Sequence, residues 1–190
     1  MKLRAKIILT AASLALSCAL LAGCGSSSGS TASSAASSEP ASTVLSQASS
    51  IPLGEDNSTD ALNASFETLL DANPISNQFE IAAMNIEYDF NLPAEDVVSY
   101  KGVKSNDNGD AGMVLVVEAA DGKAEEVANQ LTAYQQDQVA FYGNYAEFAQ
   151  AQENVENAVI AFKDNTVVMV IASNECTADL DSAVDSALGE

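Results

Sequence analysis

The sequence predicts a single small α+β domain, an antiparallel sheet of about four strands in two hairpins packed against helices, preceded by a disordered linker. Three observations predict it. From about residue 58 to 190, short apolar runs occur in pairs separated by turn residues, as hairpins require. Between and around those pairs, apolar residues recur at steps of three and four, the period of a helix. Ahead of them, residues 25–50 collapse into Ser, Ala, Gly and Thr with Glu39 the only charge, and no core can be built from such residues. About 130 residues suffice for one core and are too few for two comfortable domains.

The chain opens on Met1-Lys2-Leu3-Arg4-Ala5-Lys6, three cations without an anion, followed by an apolar run from Ile7 to Ala22. At roughly 16 residues that run suits the apolar region of an export signal and is shorter than the ~20 of a spanning helix. It closes on Leu21-Ala22-Gly23-Cys24, which matches the lipobox of bacterial lipoprotein signal peptides. The match implies diacylglyceryl transfer to the Cys24 thiol and cleavage between Gly23 and Cys24, with residues 1–23 discarded. Two or three acyl chains, palmitate among them, at ~0.8 kcal/mol per buried methylene, hold a protein to a membrane where one chain would not. Residues 24–57 then read as a tether. As a Gly/Ser-rich coil of about 33 residues it has an r.m.s. span of roughly 30 Å and a full reach near ~110 Å.

Within residues 58–190, Asp60 to Leu70 reads as a helix with Leu62, Phe66, Leu69 and Leu70 on one face, ended by Asn73-Pro74. Asn85 to Leu92 fits two readings. Ile86, Tyr88, Phe90 and Leu92 alternate with polar residues as in a strand, while Ile81, Met84 and Tyr88 suit a short helix. Val97 to Lys104 and Met113 to Ala119 read as strands joined through Asn108-Gly109. Asp121-Gly122 breaks the chain before a helix from Lys123 to Tyr142. Its stripe is Val127, Leu131, Tyr134, Gln138, Phe141 and Tyr145, of which Tyr134, Phe141 and Tyr145 are expected in the core. Val155 to Lys163 and Thr166 to Ala172 form the second strand pair, turned at Asp164-Asn165, and Thr177 is placed to cap a last helix carrying Leu180, Val184 and Leu188. Hairpins of this kind predict an antiparallel sheet with helices on one face.

Charge narrows the partners. Of seven basic residues only Lys101, Lys104, Lys123 and Lys163 follow Cys24, against 27 acidic residues, a balance of −23 after maturation. Such a surface repels phosphate backbones and anionic headgroups, so no nucleic acid and no electrostatic membrane docking are expected, and basic partners are favoured. Cys18 leaves with the signal and Cys24 is acylated, so Cys176 has no intramolecular disulfide partner. With Glu175 beside it and no histidine in the chain, it reads as a buried, inert thiol.

The absence of histidine removes Ser-His-Asp and Cys-His machinery and the usual zinc sites. Residues 58–190 carry no phosphate loop, G-x-S-x-G or C-x-x-C, and 27 carboxylates make chance acid pairs inevitable, so no catalytic residue is nominated. Aligning Gly109 with the sixth position of an EF-hand loop puts Lys104 first and Leu115 twelfth, and neither can ligate calcium. No metal and no small-molecule cofactor are expected. The aromatic cluster Tyr134, Phe141, Tyr142, Tyr145 and Phe148 suits a core stripe, with Tyr142 and Phe148 left as the candidate interaction surface. Gln138 is out of place on that stripe, because a buried amide needs partners; a strand edge is the expected one and a ligand the alternative.

The order of several short motifs resembles a known family. They are Val97 to Tyr100, the Ala119-Ala120-Asp121-Gly122-Lys123 opening of the long helix, Gln138/Phe141/Tyr145, Asn157-Ala158, and the closing Val168 to Ser173 strand. With the lipobox and the Ser/Ala-rich stalk they resemble the bacterial lipoproteins grouped as domain of unknown function 4358, found mainly in Firmicutes. The chain departs from that pattern at Asp110-Ala111-Gly112 and at Tyr145-Ala146-Glu147. The resemblance carries no activity, so no site residue transfers. The sequence thus points to a protein held by lipid on Cys24 at the extracytoplasmic face of the cell membrane. Its expected role is that of a non-enzymatic interaction or accessory module with an envelope-protein partner. The alternatives are a small-ligand binding component serving a transporter and, behind it, a carboxylate-dependent hydrolase.

Overall fold

The computed structural model describes residues 59–190. The expected leader over 1–23, the expected acylation site at Cys24 and the expected tether over 24–57 lie outside the described residues. The domain is α+β, built on one five-stranded antiparallel sheet in the order β1-β2-β3-β5-β4. Its strands are β1 (Gln78–Glu80), β2 (Val97–Ser105), β3 (Met113–Ala119), β4 (Val159–Lys163) and β5 (Thr166–Ile171), and its helices are α1 (Asp60–Ala72), α2 (Ala124–Tyr142), α3 (Ala149–Glu156) and α4 (Leu180–Ala187).

The expected hairpins are present. In β4–β5, Lys163 pairs with Thr166 across Asp164-Asn165, and Asp164 takes φ +53°, the left-handed conformation a two-residue turn demands. In β2–β3, Lys104 pairs with Met113 around a longer loop in which Gly109 has φ +82°. The loop is pinned by side chains. Asp110 Oδ1 accepts from the Gly112 and Asn174 backbones at 2.9 and 3.1 Å, and Asp107 accepts from Asn77 at 2.8 Å. Asp107 and Asp110 are therefore engaged in closing a turn.

Helices cover both faces of the sheet, not one. On one side Met113, Leu115, Val117, Val167, Met169 and Ile171 meet Val127 and Leu131 of α2. On the other Val114, Val116, Val168 and Val170 meet Leu62, Phe66 and Leu69 of α1 and Val184 of α4. The central strands β3 and β5 are consequently near-continuous apolar runs, buried on both sides, a pattern more usual in parallel sheets. Gly102 of β2 is a packing glycine. A Cβ there would lie 2.8 Å from Ile81 Cδ1 and 2.9 Å from Leu115 Cδ1.

Five expectations need correction. Val155 belongs to α3, and the strand starts only at Val159, because the residues around Val155 continue a helix that packs on α2. The short β1 was not foreseen; three exposed residues give no periodicity to read. Residues 85–92 are neither a strand nor an ordinary helix. Asn85–Asp89 form a π-helical turn, with the Phe90 amide bonded to the Asn85 carbonyl, and that wider turn buries Ile86, Phe90 and Leu92 while Met84 and Tyr88 face solvent. The last helix is capped by Asp179, whose carboxylate accepts from the Ser182 amide at 3.3 Å, and not by Thr177. Cys176 is half-buried, its thiol 3.6 Å from the Ala72 carbonyl.

Candidate functional site

Helix α2 has two halves with different jobs. Its first half buries Ala124, Val127, Ala128 and Leu131 against the sheet, and Glu125 and Glu126 suit the positive helix start. Lys123, just ahead of it, lies 3.0 Å from Asp96 Oδ1 and 2.7 Å from Glu126. Asp96 is otherwise buried without a hydrogen bond to that oxygen, so the lysine supplies its compensating charge, off the geometry of a good hydrogen bond. The Ala-Ala-Asp-Gly-Lys segment thus docks the helix onto the start of β2.

The second half of α2 leaves the core. Tyr134, Gln138 and Tyr142 follow one another at single-turn spacing and face a cavity of about 180 Å³. The cavity's other walls come from Lys104, Asp110, Gly112 and Met113 around the β2–β3 loop, and from Val155 and Ile171. Tyr134 is mostly buried, its ring 4.6 Å from that of Phe90. Burial raises its phenol above the ordinary 10.0, helped by the negative charge of Asp89 and by Tyr142. Tyr142 is raised by burial and then by Asp110. Both phenols are therefore neutral hydrogen-bond donors at physiological pH. Lys104 forms a long 3.5 Å ion pair with Asp89 and lies over the Phe79 ring.

Gln138 bonds no strand edge; its side chain makes no hydrogen bond among the described residues. The structural amide on this helix is Gln135, which donates to the Val155 carbonyl at 2.8 Å.

Beside the cavity the rings of Phe141, Tyr142, Tyr145 and Phe148 close into a circuit. Neighbouring centroids are 5.2 to 5.9 Å apart, mostly edge to face. The core placement expected for Phe141 and Tyr145 is corrected here. Phe141 and Tyr145, assigned to the core with Tyr134, are 51 % and 45 % exposed. Tyr142 and Phe148, assigned to the surface, are half-buried, and Phe148 rests against Gly109. The helical stripe continued past the point where the sheet stops offering a partner. The contribution of the β2–β3 loop was missed altogether, although the polar ends of Tyr134, Gln138 and Tyr142 on an apolar stripe were a usable signal.

The arrangement presents donors, one ammonium, one carboxylate and apolar walls, which is equipment for binding. Among the described residues no group of three Cys, Asp or Glu is disposed to hold a metal ion, and no helix is long and apolar enough to cross a membrane. No curated protein and no solved structure matches the chain. The family model described as a domain of unknown function (DUF4358) matches residues 72–172, which run from the end of α1 to just beyond β5 and enclose both the cavity and the ring circuit. The chain belongs to the DUF4358 family.

Proposed function

We propose that this is a lipid-anchored, extracytoplasmic accessory module of the cell envelope that docks a neighbouring protein through the rings at the end of α2. The observation that carries the docking is the exposure of Phe141 and Tyr145, two large apolar side chains in contact with each other at 5.9 Å and backed by Tyr142 and Phe148. Contiguous exposed aromatics are the usual anchors of interfaces. Asp137, one turn before Phe141, and Glu147, between Tyr145 and Phe148, are exposed acids, so the partner's face is basic and apolar. The anchoring is supported by the basic start, the apolar run and Leu21-Ala22-Gly23-Cys24, with residues 24–57 as the tether. The reading is non-enzymatic because the chain has no histidine for Ser-His or Cys-His chemistry.

A photo-crosslinking side chain at position 145, in cells expressing the full chain, tests it. A discrete adduct with an envelope protein is expected, reduced about tenfold by Phe141→Ala. Fold stability should move by no more than about 1 kcal/mol in that variant, since the ring is half exposed. Equal capture from the exposed Glu67 on α1, or an adduct indifferent to Phe141→Ala, would contradict the proposal.

A further inference from the structure

We propose that the cavity under the second half of α2 is a binding site for a free zwitterion of amino-acid size, its carboxylate held by Lys104 and its ammonium by Asp110. This goes beyond the docking reading and does not depend on it. Structural amides in this fold find partners: Asn73 donates to the Ile171 carbonyl at 2.8 Å and accepts from the Ser173 amide at 2.8 Å, and the Gln135 Nε2 donates to the Val155 carbonyl at 2.8 Å. Gln138 and the hydroxyls of Tyr134 and Tyr142 bond nothing among the described residues, yet all three line one cavity. A row of three polar ends, one per helical turn, is poorly explained by folding, which would be served as well by leucine.

Size and charge define the occupant. About 180 Å³ is well below the ~300 Å³ at which sites for drug-sized ligands begin, so peptides and nucleotides are too large. The walls carry one cation and one anion. Asp110 commits Oδ1 to the Gly112 and Asn174 backbones and leaves Oδ2 without a hydrogen bond. Lys104 has a long 3.5 Å pair with the exposed Asp89 and a contact with the Phe79 ring, and a closer carboxylate would outcompete the pair. Met113, Val155 and Ile171 form an apolar floor for a short side chain, and the two phenols add neutral donors.

The test is calorimetric titration of the full chain in detergent with each of the twenty standard L-amino acids. One or a few should bind with one-to-one stoichiometry. Binding should weaken at least about tenfold in Gln138→Leu and in Asp110→Asn, and likewise when the amino acid is replaced by its methyl ester or its N-acetyl derivative. Gln138→Leu removes an unbonded amide from an apolar stripe and is expected to fold at least as stably, which its thermal midpoint verifies. No heat with any of the twenty at millimolar concentration would overturn the assignment. So would binding unchanged in Gln138→Leu, or ethanolamine binding as tightly as the amino acid. None of these outcomes decides the crosslinking test, which reads the exposed Phe141 and Tyr145; only Tyr142 belongs to both the cavity and the ring circuit.

Discussion

At the scale of single residues, the fold depends on a few buried polar groups that are fully paired. Asn73 caps α1 and is completely buried, and its amide ties the ends of β3 and β5 to residue 173. Asn73→Ala should cost about 3 kcal/mol, because it strands two carbonyls and an amide away from water. Urea unfolding measures it, and a loss below about 1 kcal/mol would refute the role. Tyr134 makes a prediction about pH. Its folded-state phenol titrates above the ordinary 10.0, so the native state keeps a proton that the unfolded chain has already lost. Stability is therefore unaffected below about pH 10 and falls as pH rises beyond it. In Tyr134→Phe that alkaline decline should be shallower, as urea midpoints collected on either side of pH 10 will show. The sequence exposed Asn73 only as a helix stop and Gln138 only as an anomaly. Residue type was legible, but which groups would find partners depended on contacts between positions about a hundred residues apart.

At the scale of elements, periodicity was reliable wherever an element had a full core partner. The bounds of β3 agree with the sequence reading, and those of α1, α2, β2 and β5 differ from it by one or two residues. Reading failed where local geometry left the standard periods. The π-helical turn at Asn85–Asp89 inserts an extra residue per turn, so neither a two-residue nor a three-to-four-residue template could match it. Helix α3 failed for another reason, since its buried positions include Asn154 and Ala151, which no apolar count rewards. Glycine 102 was unremarkable in sequence, and its tight surroundings appear only once β1, the chain at Ile81 and β3 converge on β2. Gly102→Ala should destabilise by about 1–3 kcal/mol through overpacking. A neutral or stabilising result in thermal unfolding would show that Ile81 and Leu115 have room to move.

At the scale of the whole molecule, the two faces of the sheet differ in kind. The face under α2 and α3 lies within the family-matched segment 72–172 and carries the cavity and the ring circuit. The opposite face is closed by α1 and α4, most of which fall outside that segment, through Leu62, Phe66, Leu69 and Val184. One face thus holds the candidate site while the other supplies closure. How much of the site was readable follows from this. The helix side was visible as an aromatic and polar stripe, and the loop side was not, because Lys104 and Asp110 look like ordinary turn-flanking charges until the hairpin folds beneath α2. On the proposed reading the acidic domain works outside the cell on a lipid tether, and every partner argument assumes that location. Mass spectrometry of the protein isolated from its native membrane tests this most directly. An N-terminus at Cys24 carrying a diacylglyceryl thioether is expected; an unmodified thiol there, or residues 1–23 still attached, would refute the lipid anchor.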